Sequence, residues 1–448
     1  MTQALDKLTD AVLAAARKAG AEAADAIAVE GRSISIDMRG GTLEQAERAE
    51  GIDIGLRVLM GKRQACVSVS DARPETLTAL AERAVAMARE APEDPYIGLA
   101  EPGELATLRD AQGLELCDPA PEPTPEALQE DARAAEAAAL AVKGVSQVQS
   151  ASAGYSWRAV HLAATNGFAG GYERTDRGLS CVAIAGEGTG MEREYDGDSR
   201  IFQADLRSAD DIGRTAGERA IAALNPRRPR TGAYPVLFDE RISSSLIGHL
   251  LMAANGAAIA RGSSWLLNRL GEQVLPEALS LIEDPHRVRV MNSRPFDAEG
   301  LPTQRRALVD KGVLTGLSLD LANARKLGMA PTGNAKRGAS SPPSPGTWNM
   351  ELTQGDRSRE ALIAEMGTGL VVTSMIGSTI NPNTGDYSRG ASGFWVENGE
   401  ITGPVNECTI AGSLPDMLMR MTPANDARPW LSRVVPSLLV EGLTIAGE

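Results

Sequence analysis

In three stretches between residues 33 and 71 an apolar side chain recurs at every second position, and this period leaves few folds open. "SISIDMR" puts Ile34, Ile36 and Met38 on one face, "IDIGLRVL" does the same with Ile52, Ile54, Leu56 and Val58, and "ACVSVSD" repeats the pattern. Alternation of this kind marks strands buried on one face only, which need a cover on that face. The cover is written on either side. Leu5, Leu8, Val12 and Ala16 recur at helical spacing at the start of the chain. Pro74 then opens a second helix with Leu77, Leu80, Ala84, Val85 and Ala88 as its inner stripe.

A second block follows in the same order. "CDPAPEPTPE" cannot continue a helix or an interior strand and reads as a linker. Beyond it come an alanine-rich helix, short strands around "VSQVQSASAGY", "AVHLAATNG" and "LSCVAIAGEG", and a helix near "ADDIGRTAGERAIAAL". "NPRRPRTGAYP" marks the next boundary. From there strands dominate, with hairpins turning at Asp310 to Gly312 and at Asn398-Gly399. The glycine-dense run from 366 to 395 predicts bent, bulged strands. The expected fold is α+β: helix-strand-helix layers at the N-terminal end, then a β-rich C-terminal domain with a bent, barrel-like sheet. The expected domains are 1–110, 118–224 and 227–448.

Composition narrows the function. With only 5 Phe, 5 Trp and 6 Tyr among 448 residues, the cores must be filled by Leu, Val, Ile and Ala. A net charge of −14 argues against gripping nucleic acid, which needs Lys/Arg surfaces that release counterions. No apolar run approaches the length of a membrane span, and the opening "MTQALDKLTDAVLAAARKAG" does not read as a signal peptide. Cys66, Cys117, Cys181 and Cys408 stand far apart, with neither a CxxC pair nor a disulfide-scaffold spacing. The expectation is a cytoplasmic protein with no membrane and no nucleic-acid partner.

Candidate chemistry centres on "SSSLIGHLLMAANG", residues 243 to 256. It looks like a zinc-protease helix, yet it carries one histidine, His249, and no acidic residue. Zinc hydrolysis needs about three protein ligands, an open coordination position and a carboxylate to manage the water proton. The other histidines, His161 and His286, lie in unrelated segments. A lone imidazole on an apolar helix reads as a packed or capping residue. Ser245 and His249 are four apart and could share a helix face as nucleophile and base, but nothing supplies an orienting carboxylate or an oxyanion hole. "PTGNAKRG" lacks the spacing of a phosphate cradle and reads as an exposed loop of the barrel-like domain. Glu192, Glu194 and Asp196 alternate as on a solvated strand face, without a calcium-loop pattern.

Four long segments, in order, carry a resemblance that reaches further than periodicity. They are "ATNGFAGGYERTDRGLSCVAIAGEGTGMEREYDGD", "IGHLLMAANGAAIARGSSWLLNRLGEQV", "NSRPFDAEGLPTQRRALVDKGVLTGLSLDLANARKLGMAPTGNA" and "GASGFWVENGEITGPVNECTIAGSLPDML". Over essentially its whole length the sequence resembles the TldD/PmbA family, and within it the PmbA (TldE) branch. The resemblance implies a division of labour. The TldD branch carries HExxxH on a helix and a late cysteine as zinc ligands, and the PmbA branch pairs with it and lacks that site. Placed on this sequence, the first histidine falls on Ser244, the glutamate on Ser245, the second histidine on His249 and the cysteine near Val435. Histidines five apart diverge by about 140° on a regular helix, so the motif relies on a bend, which Gly248 could permit. Cys408 lies well before the cysteine position and reads as a small core residue.

The resemblance therefore implies a noncatalytic subunit with no catalytic residue, metal or other cofactor of its own. Its expected partner is an HExxxH-containing TldD-type paralogue, in a heterodimer or larger complex that takes small or unfolded peptides as substrate. When alone it would either self-pair as a dimer or show a sticky apolar surface. Two alternatives stay open: an independent hydrolase with a divergent site, and a pure interaction or regulatory protein.

Overall fold

The computed structural model describes residues 2–448. Its N-terminal half runs α1 (Thr2–Lys18), β1 (Ala23–Arg39), β2 (Thr42–Met60), β3 (Arg63–Val69), α2 (Pro74–Glu90), α3 (Pro125–Leu140), β4 (Val145–Ala164), β5 (Ala169–Ala185), β6 (Glu192–Arg200) and α4 (Ala209–Ala222). The six strands form one antiparallel sheet in the order β3-β2-β1-β4-β5-β6. β1 pairs β4 from Asp25 opposite Ala164 to Met38 opposite Ala151, so the two N-terminal blocks share a single sheet.

All four helices cover one face of it. Val12, Ala16, Leu77, Leu80 and Ala84 close over Ile54, Leu56 and Val58, while Leu128, Ala132, Ile212 and Ala216 close over Ile34, Ile36 and Met38. Small residues let the second helix pair approach closely: a Cβ at Gly213 of α4 would stand 2.0 Å from the Ala135 carbonyl oxygen of α3. The strands expected to be short around residues 145–164 are one 20-residue strand, β4. Gly154 does not interrupt it, because the alternation continues on both sides and Gly154 pairs with Ser35 and Gly178 in full register.

The C-terminal half adds β7 (Gly232–Phe238), α5 (Glu240–Ala253), α6 (Gly256–Ala260), β8 (Leu281–Glu283), β9 (Arg306–Asp310), β10 (Val313–Leu314), α7 (Leu321–Leu327), β11 (Ala335–Lys336), β12 (Ser344–Pro345) and β13 (Met350–Leu352). Then come α8 (Arg359–Met366), β14 (Gly369–Ile380), β15 (Asp386–Glu397), β16 (Glu400–Ser413), α9 (Leu414–Met419), β17 (Met421–Pro423), β18 (Arg433–Val434) and β19 (Leu438–Ala446). Strands β16-β15-β14-β7-β19 form a sheet that closes when β19 also pairs β16, giving a five-stranded barrel. A smaller sheet runs β10-β9-β8-β13-β18.

Both expected hairpins turn through left-handed backbone, at Lys311-Gly312 and at Asn398-Gly399, as a type I′ turn requires. The glycine-rich strand β14 bulges against β15 between Val372 and Ser374 and between Ile376 and Thr379, which lets the barrel curve.

Two sequence expectations are corrected. "PTGNAKRG" is not an exposed loop: Asn334 and Ala335 are fully buried, and the Arg337 side chain is inaccessible where it meets Asp25 of β1. The Glu192-Glu194-Asp196 face of β6 is not solvated. Asp196 is 4% exposed and accepts from Arg207 and Arg219 at 2.7 and 2.8 Å, which compensates its burial. Sequence spacing shows the alternation and cannot show that arginines from α4 and the loop before it lie over that face.

Candidate functional site

Helix α5 follows barrel strand β7 directly. Asp239 caps it by accepting from the Arg241 backbone N–H, and Leu246, Ile247, Leu250 and Leu251 seat it in the same core as Val236, Phe238, Leu370, Val372 and Ile410. The buried Ser243 hydroxyl donates to the Val435 carbonyl at 3.4 Å. One turn on, a Cβ at Gly248 would stand 3.1 Å from an Arg433 guanidinium nitrogen. The helix and the segment 433–435 therefore lie in contact.

The residues at those positions are a different matter. Ser244, Ser245 and His249 are half-buried and Val435 is buried in the barrel core. The Ser245 hydroxyl and the His249 Nε2 are both enclosed and each lacks a hydrogen-bond partner among the described residues, so they do not pair with each other as nucleophile and base. The His249 ring stands edge-on to Tyr387 at 5.9 Å between centroids. Burial, and then the positive charge of Arg389, hold its pKa below the usual histidine value, which leaves the imidazole neutral at neutral pH. Burial pushes the Tyr387 hydroxyl up to about 12.

One imidazole, two short hydroxyls and an isopropyl group do not make a zinc donor set. Among the described residues no three His, Cys, Asp or Glu side chains are grouped so as to hold a metal ion. His161 and His286 are spoken for elsewhere, by the hydroxyls of Thr9 at 2.8 Å and Thr303 at 3.0 Å. Cys408 lies in the barrel core, its thiol against the Ala391 carbonyl, and burial pushes its pKa up to about 11. No helix among the described residues is long and apolar enough to cross a membrane.

Sequence reasoning missed a second group of ionisable residues, where the open face of the N-terminal sheet meets the C-terminal loops. Asp25 receives both Arg57 and Arg337, each with its side chain almost fully buried. Nearby, Asp297 and Glu299 are buried two residues apart. Asp297 accepts backbone N–H groups from Glu299, Leu301 and Ala335, and Glu299 accepts from Leu321 at the start of α7. Burial and the neighbouring Asp297 charge raise the pKa of Glu299, and burial raises that of Asp297. The available signal was a carboxylate at Asp25 on a strand face otherwise lined by Ile27 and Val29.

The raised pKa of Glu299 has a definite consequence for stability. The folded state holds a proton that the unfolded state has already released, so stability is full below the unfolded carboxyl value and falls as pH rises toward the folded one. Glu299→Gln keeps an acceptor for Leu321 and removes the charge. It is expected to raise stability at pH 8 by on the order of 2 kcal/mol and to change it little at pH 4. Urea unfolding at the two pH values checks this, and an equal effect at both would refute it.

The class these features define is an α+β chain: a helix-covered antiparallel sheet joined to a five-stranded barrel that carries a metallopeptidase-type helix against its C-terminal segment. Residues 24–88, 118–224 and 231–447 match, respectively, domain 1, the central domain and the C-terminal domain of the PmbA/TldA metallopeptidases. The chain is 36% identical to Metalloprotease PmbA of Escherichia coli O157:H7 over 416 residues, covering 93% of this chain and 90% of that one. It is 35% identical to a Metalloprotease PmbA homolog of Haemophilus influenzae, covering 97% and 94%. A solved structure from Bacteroides thetaiotaomicron, described as a candidate modulator of DNA gyrase, superposes with a TM-score of 0.91 at 29% identity, covering 99% of this chain and 98% of the other. The chain belongs to the TldD/PmbA metallopeptidase family, in its PmbA branch.

Proposed function

We infer that this chain is the noncatalytic subunit of a heteromeric TldD/PmbA-type zinc metalloprotease acting on small or unfolded peptides, paired with an HExxxH-bearing, TldD-type family member in the cytoplasm. One observation carries the reading. Helix α5 and segment 433–435 lie in contact, while Ser244, Ser245 and Val435 stand at the positions to which the resemblance assigns ligands and base. A lone His249, neutral and with no partner at Nε2 among the described residues, supplies neither Lewis-acid nor proton-transfer chemistry. The role left to the chain is structural: it completes the enclosure of its partner's site and stabilises it through a large, stable interface, which for obligate pairs runs to about 2,000 Å² or more.

Co-expression with a TldD-type family member tests this. The two chains are expected to co-elute as one complex at micromolar concentration, and His249→Ala in this chain is expected to change peptide hydrolysis by that complex less than about twofold. Separate elution would sink the partnership. A loss above about tenfold with assembly intact would show that His249 works in the reaction.

A further inference from the structure

The face of the N-terminal sheet turned away from its helices does not close completely against the C-terminal half. A cavity of about 310 Å³ remains between β1, β4 and β5 on one side and the loops at residues 294–298 and 336–337 on the other. This is the small end of the range of ligand pockets.

Its lining is unusually cationic. Arg158, Arg174, Arg294, Lys336 and Arg337 all border it, against a single carboxylate, Asp297. Arg337 is neutralised by Asp25, and Asp297 is occupied by three backbone N–H groups. None of the other four cations has a carboxylate within 4.0 Å among the described residues. Arg174 gives one N–H to the Ser293 carbonyl at 2.6 Å. Arg294 sits over the Trp348 ring with Cζ 3.7 Å from its centre, and its Nε–H is buried with no acceptor among the described residues. The Lys336 ammonium sits 4.9 Å from the centre of the same ring. Burial, then Arg294, brings the pKa of Lys336 down to about 8, and burial, then Arg294 and Arg158, lowers that of Arg174.

Asp297, which acts on Arg294, and Glu283, which acts on Lys336, offset part of this charge, and the wall keeps a cationic excess that an anion would balance. Guanidinium groups are moreover shaped for forked hydrogen bonding to carboxylate and phosphate oxygens. The remaining wall, including Val160, Leu162 and Phe296, is apolar. We propose that this cavity binds a small dianion, phosphate- or dicarboxylate-bearing, with an apolar group that packs on Phe296 and Leu162. The anion lies among Arg158, Arg174, Arg294 and Lys336 and satisfies the Arg294 Nε–H. The site lies on the open face of the sheet and uses none of Ser244, Ser245, His249 and Val435, so it stands or falls independently of the subunit role.

Titration calorimetry of the purified full-length chain at pH 8 with phenyl phosphate and with phthalate tests it, with benzoate and chloride at matched ionic strength as controls. Saturable, one-to-one binding of at least one dianion with a Kd below about 1 mM is expected. Which of the two binds distinguishes phosphate from dicarboxylate chemistry. Lys336→Gln is expected to weaken binding at least fivefold, and so is Arg158→Gln. Arg158 is exposed, so its variant tests the site even if the Lys336 variant does not fold. No saturable binding of either dianion, binding of chloride or benzoate with equal affinity, or unchanged affinity in the folded variants would overturn the proposal.

Discussion

Asp25→Asn is expected to cost about 3–5 kcal/mol of folding stability, the range found when one partner of a buried ion pair is removed. Asp25 and Arg57 are each 4% exposed at the side chain, and Arg337 is 0% exposed. Arg57 donates through Nε at 2.6 Å, and Arg337 reaches the other carboxylate oxygen. Without the carboxylate, two buried guanidinium groups lose the ion partner they share, and only the more distant Glu299 still acts on Arg57. The contact cannot relax by drifting apart, because the chain around it is closely fitted: a Cβ at Gly55 would stand 2.1 Å from the Ala339 carbonyl oxygen.

The same ion triad sets an acid limit. Burial alone would raise the pKa of Asp25, but Arg337 and Arg57 outweigh it and hold the carboxyl below its ordinary value of 3.8. Its contribution is therefore complete above that value and is lost as pH falls through the lower, folded one. Chemical unfolding at neutral pH measures the Asn variant, and a loss under about 1 kcal/mol would show that the triad is not what ties the two halves together. Replacing Arg337 by Met as well should recover part of the loss, because one unpaired charge leaves with it.

That triad also shows where reading a sequence stops. Period-two alternation made β1, β2 and β3 legible, since burial of one face is a local property and Ile34, Ile36, Ile54 and Leu56 announce it. Turn chemistry did the same for Asn398-Gly399. What joins the elements is not local. Asp25 and Arg337 are 312 residues apart, and the pairing of β1 with β4 spans the linker that looked like a boundary. Each half of such a contact looks ordinary in isolation: a charge on a strand and a basic loop near glycine. The candidate positions are of another kind. The resemblance places them within one helix and one short segment, so the side chains at Ser244, Ser245, His249 and Val435 are read directly from the sequence, and the structure adds that the two elements touch.

The second large effect concerns whether the missing donors are the whole difference from a zinc site. Ser244→His, Ser245→Glu and Val435→Cys together are expected to move the zinc retained after dialysis from well under one to about one per chain. Ser244→His with Ser245→Glu alone should bind weakly, because two imidazoles without a third ligand leave the ion under-coordinated. Helix α5 runs unbroken from Glu240 to Ala253, and positions 244 and 249 on a straight helix diverge by about 140°. Tight binding in the triple variant therefore requires a local bend, and Gly248 is the position where missing side-chain bulk permits one. Retained zinc should raise the thermal midpoint through linkage, by about 4 kcal/mol of added stability at a thousandfold excess over Kd. Peptide hydrolysis should nonetheless stay low. Turnover also needs hydrogen-bonding groups that orient the ligands and the attacking water, and three substitutions that supply only the ligands and the base do not build them. Elemental analysis of the unmodified chain, the double variant and the triple variant decides the matter. Stoichiometric zinc in the unmodified chain, or equal retention by the double and triple variants, would show that the donors of this fold lie somewhere other than α5 and Val435.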